Sequence, residues 1–273
     1  MHLRTAVIQL NSCDVLVENL ATVEQALDRA ASLGAEFVAL PEYWIYLGPY
    51  LGFDAVAQTI PGPAIELLQE KARKHRMIVH GGSIVERHAQ LAGKFYNTSV
   101  LINRDGEIVA QYRKIHLFDV DLANGEKHYE SERIVPGDRI VTAEIDGITF
   151  GLTVCYDLRF PELYRSLALQ GAQILLVPAG FTLHTGRDHW EVLLRARAIE
   201  NLCYVVAPAQ IGSYPPNRHC FGRSMIVDPW GLVLAQAQDM PTVICTDIDL
   251  AQIEHARTQI PCLQHRHPDL YRC

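Results

Sequence analysis

Short runs rich in β-branched residues alternate with amphipathic helical patterns along the whole chain, and this alternation dictates a layered α/β fold. Strands are expected over residues 3–10, 37–40, 77–85, 97–103, 108–113, 140–145, 148–154, 174–177, 203–209, 224–227 and 243–247. Helical spacing appears over 18–33, 64–75, 161–170, 189–200 and 251–258. In the first of these, Leu20, Val23, Leu27, Ala30 and Ala31 share a face and Gly34 ends it. Pro161 suits the first turn of its helix, where a missing N–H costs nothing. Arg104-Asp105-Gly106, Asp146-Gly147 and Asp228-Pro229-Trp230-Gly231 are turns joining paired strands, and Gly81-Gly82 is a kink within one. With no repeat, low-complexity tract or long linker, residues 1–273 are expected to form a single domain.

The chain is 49% hydrophobic and 20% charged, enough apolar material for a sizeable core. A net charge of −7 argues against a phosphate-binding surface, so no nucleic-acid partner is expected. No run approaches the roughly 20 apolar residues that span a bilayer, and no cleavage-site pattern follows the N-terminal strand. Seven cysteines (13, 155, 203, 220, 245, 262 and 273) are irregularly spaced without a C-x-x-C pair. They form neither a disulfide framework nor a zinc site, so a reducing cytoplasm is expected. His265 and His267 lack a carboxylate or cysteine at ligand spacing, and no glycine-rich phosphate loop exists. Neither a metal nor a cofactor is therefore expected. The local cysteine signature of a papain-like protease is also missing.

Three reactive side chains stand at strand ends, where ligands collect in α/β sheets. Residues 37–40 run into Pro41 and Glu42, residues 108–113 into Lys114, and residues 148–154 into Cys155. If these strands share a sheet and direction, a carboxylate, an amine and a thiol converge. A thiol with a free pKa of about 8.5 needs a base to attack a carbonyl or nitrile carbon. A carboxylate takes that proton and returns it to a leaving amine, while an ammonium stabilises the oxyanion. The turn at Tyr156-Asp157 and the helix opening near Pro161 offer further backbone N–H donors. Each residue also has a plainer reading: packing for the cysteine, a cap or surface charge for the glutamate, and a solvated lysine.

These residues resemble the nitrilase (carbon–nitrogen hydrolase) superfamily. The resemblance is carried by Leu40-Pro41-Glu42, by Tyr112-Arg113-Lys114-Ile115-His116-Leu117-Phe118 and by Val154-Cys155-Tyr156-Asp157-Leu158-Arg159-Phe160-Pro161-Glu162-Leu163. It continues through His189-Trp190-Glu191 and Asp228-Pro229-Trp230-Gly231 to the end of the chain. The resemblance implies a four-layer α-β-β-α sandwich. It makes Glu42 the general base, Lys114 the oxyanion-stabilising lysine, Cys155 the acyl-forming nucleophile and the Tyr156 backbone N–H an oxyanion donor. Glu130, in Tyr129-Glu130-Ser131, matches the family's second glutamate, which orients the lysine and the leaving group. Pairing into homodimers or a higher homo-oligomer is implied as well, with residues 261–273 as an extended C-terminal tail.

Residues 189–200, Ala209-Gln210 and the ending Leu263-Gln264-His265-Arg266-His267-Pro268-Asp269-Leu270-Tyr271 most resemble the Nit branch of that superfamily. That branch implies an amidase using water and a small amide substrate, deaminated glutathione first and 2-oxoglutaramate as the alternative. Nitrile hydrolysis and an acyl-binding pseudoenzyme are further alternatives. Tyr43-Trp44 replaces a more typical Ala-Phe, and Gly222-Arg223-Ser224 a Gly-His-Ser, so the acyl-side pocket departs from the branch pattern. Both candidate substrates carry carboxylates, so a binding arginine is expected, with Arg159 and Arg218 as candidates. Arg159 also suits an internal salt bridge, and Arg218 a solvated loop. His189 and Tyr43 complete the expected substrate-binding set.

Overall fold

A computed structural model of the chain describes residues 1–123 and 125–271. The N-terminal half contains β1 (His2–Gln9), α1 (Leu16–Ser32), β2 (Phe37–Ala39), α2 (Phe53–Val56), α3 (Pro63–His75), β3 (Ile78–His80), β4 (Ile84–Arg87), β5 (Phe95–Ile102) and β6 (Ile108–Arg113). A small hairpin follows, β7 (Asp119–Asp121) and β8 (Lys127–Tyr129). Next come β9 (Thr142–Ile145), β10 (Ile148–Leu152), α4 (Pro161–Leu169), β11 (Ile174–Leu176), α5 (Leu183–Asn201) and β12 (Tyr204–Ala207). The chain then forms β13 (Ile211–Tyr214), β14 (Arg218–Phe221), β15 (Met225–Val227), β16 (Val233–Gln236), β17 (Thr242–Asp249) and α6 (Ala251–Gln259).

Two sheets dominate. In the first, β1, β2 and β3 are parallel, β17 flanks β1 antiparallel, and β5 pairs antiparallel with β3, β4 and β6. In the second, β10, β11 and β12 are parallel, with β9 on one side and β15–β16 on the other. Side-chain parity separates the layers, because successive residues of a strand point to opposite faces. Leu3, Val7, Phe37 and Ala39 enter a core with Phe150, Leu152, Ile174 and Leu176 of the second sheet. The Phe37 and Phe150 rings meet there at 5.1 Å. Ala6, Ile8, Val38 and Leu40 face the other way, into a core with Val23 and Leu27 of α1 and Ile65 and Leu68 of α3. Gly151 points away from Phe150, and a Cβ on it would lie 3.2 Å from Leu167 of α4. Helices therefore cover both outer faces, giving the expected four layers, α-β-β-α.

Several expectations need correction. The strand expected over 77–85 is two strands, β3 and β4, with Gly81-Gly82 between them. Gly82 has φ +55°, and a Cβ there would meet Pro41 O, so only glycine fits beside the Glu42 loop. The helix expected from residue 189 begins at Leu183, because the Thr182 hydroxyl caps it by accepting from Thr185 N–H. The β7–β8 and β13–β14 hairpins escape a periodicity reading because their strands have only three or four residues with mixed burial. The strands leading to Glu42 and Lys114 share the first sheet and run parallel, but the strand leading to Cys155 belongs to the second. Of the tail expected over 261–273, residues 272–273 lie outside the described residues; 261–271 follow α6 in turns and extended chain.

Candidate active site

Glu42 follows β2 and is buried, with Gln210 Nε2 donating to its backbone carbonyl at 2.9 Å. Its Oε1 accepts from Lys114 Nζ at 3.1 Å and from Asn97 Nδ2 at 2.8 Å, and its Oε2 accepts from Gly180 N–H at 2.8 Å. Lys114 follows β6, is 2% exposed, and also donates to Glu130 Oε2 at 2.8 Å. Glu130 opens a short 3-10 turn, Glu130–Glu132, and is buried. It accepts further bonds from Phe118 N–H and Tyr43 OH at 2.8 Å each and from Asn97 Nδ2 at 3.2 Å. An ammonium has three N–H donors, so two go to the glutamates and one is left for another acceptor.

Burial disfavours charge on Lys114, but the nearby Glu130 and Glu42 carboxylates outweigh it and hold its pKa well above the ordinary value. Burial likewise opposes ionisation of Glu130, yet the Lys114 charge and the donated hydrogen bonds keep its pKa below the usual carboxylate value. Both groups are charged at neutral pH. The Cys155 thiol is pushed well above the ordinary thiol range by burial first, then by the Glu42 charge, with Lys114 opposing.

Cys155 opens a 3-10 turn, Cys155–Arg159, in a left-handed conformation with φ +50°. A non-glycine residue is strained there, and strain of this kind concentrates at functional sites. Its N–H donates to Pro178 O at 2.9 Å and Asp157 N–H to Val154 O at 3.1 Å. The Tyr156 N–H between them has no acceptor among the described residues and is free for an oxyanion. Asp157, wholly buried, ties this turn to the Lys114 strand. It accepts from Tyr112 OH at 2.6 Å, Val154 N–H at 2.8 Å and His116 N–H at 3.1 Å, and pairs with His116 Nδ1 at 2.7 Å. The buried Arg197 of α5 secures the far side, donating from Nε and Nη2 to Leu158 O at 3.0 and 2.8 Å.

Cys155 lines two adjoining cavities. The larger, about 540 Å³ including its open mouth, is walled by Glu42, Lys114, Glu130, Tyr43, Tyr50 and Arg218, among others. The smaller is lined by Phe118, Tyr156, Arg159, Phe181, Thr182 and Thr185. The structure thus brings together Glu42, Lys114, Glu130, Cys155 and Tyr156, and puts Tyr43 and Arg218 in one wall and Arg159 in another. The Tyr43 hydroxyl is engaged with Glu130, and Arg218 Nη2 donates to Lys127 O at 2.9 Å, joining the β13–β14 and β7–β8 hairpins. His189 is not among the residues lining either cavity; its Nδ1 lies 3.3 Å from Arg159 Nη1. Arg159 forms no ion pair among the described residues, against the internal salt bridge considered for it. Sequence reading missed Asn97, Asp157 and Gly180. Asn97 lies mid-strand and Gly180 in a loop, where no spacing rule reaches, but Asp157 stands two residues after Cys155 and its buried position was within reach.

The sequence profile described as carbon–nitrogen hydrolase matches residues 4–258. The chain is 43% identical over 264 residues to the deaminated glutathione amidase of Synechocystis sp. (strain PCC 6803 / GT-S), covering 96% of this chain and 97% of that one. It is 38% identical over 270 residues to the omega-amidase of Mus musculus, covering 98% and 96%. The crystal structure of the C. elegans NitFhit protein superposes with a TM-score of 0.93 at 38% identity, covering 99% of this chain and 66% of that longer one. An amidase mutant from Nesterenkonia sp. AN1, with the acetamide moiety of fluoroacetamide added covalently at its active-site cysteine, superposes with a TM-score of 0.82 at 26% identity, covering 99% and 95%. By profile, identity and fold together, this chain belongs to the carbon–nitrogen hydrolase family and hydrolyses carbon–nitrogen bonds other than peptide bonds.

Proposed function

We propose that the protein is a thiol-dependent amidase for a small amide bearing a carboxylate, with deaminated glutathione as substrate. The observation that carries this reading is the chain Glu42–Lys114–Glu130, buried and hydrogen-bonded in one cleft beside Cys155. In the first step Cys155 Sγ bonds to the amide carbon as its proton passes to Glu42. The carbonyl electrons move onto oxygen, held by the third Lys114 N–H and the Tyr156 N–H. The carbon–nitrogen bond then breaks, and Glu42 returns the proton to the departing amine, leaving a thioester. Water attacks the thioester, gives its proton to Glu42, and the sulfur leaves as thiol when that proton is handed back. Glu130 orients Lys114 throughout. Arg218 and Arg159, in the two walls beside Cys155, are the groups that would hold substrate carboxylates.

The Synechocystis relative's name supports deaminated glutathione; the omega-amidase relatives support 2-oxoglutaramate as the second reading. Release of 2-oxoglutarate from each compound, compared through kcat/KM, tests the choice. Equal inactivity toward both overturns the substrate class, and an active Cys155→Ala enzyme overturns the mechanism. We further read residues 1–273 as one catalytic domain that works as a homodimer in the cytoplasm. Exposed Leu169 of α4 and Val192 and Ile199 of α5 support pairing, and the six unbridged cysteines among the described residues support a reducing compartment. Light scattering and cell fractionation test these two assignments. No helix among the described residues is long and apolar enough to cross a membrane.

A further inference from the structure

The side-chain amide of Asn97, in β5, lies fully buried between two carboxylates. Its Nδ2 donates to Glu42 Oε1 at 2.8 Å and to Glu130 Oε1 at 3.2 Å. Charge fixes this orientation, since the reversed amide would press its carbonyl oxygen against two anions. Asn97 Oδ1 has no hydrogen-bond partner among the described residues. Buried acceptors are normally satisfied, so a residue that forgoes one bond while giving both N–H groups to carboxylates calls for a reason. The neighbouring ladder aims it, because Lys114 N–H donates to Asn97 O at 2.9 Å.

The charge balance of the site supplies that reason. Glu42 and Glu130 are two anions against a single cation, Lys114. The other titratable groups whose charges bear on Glu42 or Glu130 are the thiols of Cys155 and Cys220, the phenols of Tyr43 and Tyr50, and the His128 imidazole beside Glu130. None of them is a cation at neutral pH, because burial lowers the pKa of His128 below the ordinary imidazole value. The surplus negative charge is therefore stabilised by neutral donors: Gly180 N–H for Glu42, Phe118 N–H and Tyr43 OH for Glu130, and Asn97 for both.

We propose that Asn97 is a positioning residue of the hydrolase, whose two N–H groups hold Glu42 and Glu130 ionised side by side and so set the acid limit of the reaction. This rests on Glu42 being the base in the proposed mechanism. Two variants test it: Asn97→Leu, which keeps the bulk and removes the donors, and Asn97→Asp, which keeps the shape and replaces the donor by a third carboxylate. The measurements are the pH dependence of kcat/KM for amide hydrolysis and of Cys155 alkylation by iodoacetamide, the second needing no substrate. In both variants the acid limb moves toward neutral pH by about one to two units, the size expected for losing a hydrogen bond to a charged group. At pH values below the shifted limb kcat/KM falls about ten- to a hundredfold relative to wild type, while KM changes less than about twofold. Folded variants whose limbs stay at the wild-type pH overturn the proposal, as do losses that merely track the unfolded fraction. Should Asn97→Leu fail to fold, the isosteric Asn97→Asp decides by the same criteria. A Glu42→Gln enzyme that keeps the wild-type acid limb shows instead that the base itself is misassigned, which removes Asn97's role with it.

Discussion

Asp157 grips His116 twice, accepting its backbone N–H at 3.1 Å and pairing with its ring Nδ1 at 2.7 Å, while the His116 ring stacks on Phe160 at 3.6 Å. The loop that carries Lys114 is thus fastened to the turn that carries Cys155. Replacing Asp157 with Ala leaves the Tyr112 hydroxyl and two backbone N–H groups buried without an acceptor. We expect a destabilisation of about 3 kcal/mol, lowering the melting midpoint by roughly 6–12 °C in a chain of this size. Thermal unfolding checks this, and hydrolysis at a temperature where the variant is folded is expected to fall by an order of magnitude or more, since about 1 Å of misplacement can cost 10²-fold.

Lys114→Met tests the central ion cluster by reversing a pH dependence. In the wild type the folded-state pKa of Glu130 lies below its ordinary value, so its stabilisation is present above the unfolded pKa and is lost as pH falls. Without Lys114, burial and the Glu42–Glu130 repulsion raise the carboxylate pKa above the unfolded value. That variant is expected to be less stable by about 3–5 kcal/mol at neutral pH and to recover part of the loss on acidification. Denaturant unfolding from neutral to mildly acidic pH measures the slope, and equal slopes for the two proteins refute the account.

Because burial and the Glu42 charge raise the Cys155 pKa, the resting enzyme holds a thiol rather than a thiolate. The difference in ultraviolet thiolate absorption between the wild type and Cys155→Ser is expected to be absent at neutral pH. A thiolate band there would contradict the need for Glu42 as proton acceptor. Glu42→Gln is expected to lower kcat by about 10²–10⁴-fold, the usual worth of a positioned base.

On the function proposed above, Arg218 serves binding and not chemistry. Arg218→Leu is expected to raise KM for carboxylate-bearing amides about tenfold or more, the loss of a charge-assisted contact. The kcat should change little, and uncharged small amides should bind as before. An equal rise in KM for both substrate types would mean that Arg218 serves the cleft only through its bond to Lys127 O.

Much of this arrangement was legible in the sequence because it follows from strand ends and periodicity. Apolar runs ending at Glu42, Lys114 and Cys155 pointed to one pocket, but residues 37–39 are apolar and buried throughout, so the sequence did not tell which of their side chains meets which layer. Periodicity could not tell that Cys155 approaches from the opposite sheet, since strand pairing is a long-range property. Asn97 was hidden for a related reason: a polar residue inside a strand reads as an outward-facing one until its neighbours are known. Gly186, in the first turn of α5, weakened the helical signal over the six residues 183–188; a Cβ on it would clash with Phe221, so packing chose a residue that propensity disfavours.

The division of the site between two sheets has a consequence during synthesis. Glu42 and Lys114 leave the ribosome before Cys155, on a sheet whose edge strand β17 arrives last of all. Until the second sheet docks, the thiol has neither Glu42 nor Lys114 beside it and is one cysteine among seven. On the roles proposed here, hydrolysis reports completed folding: an unfinished chain carries every reactive group and cannot use them.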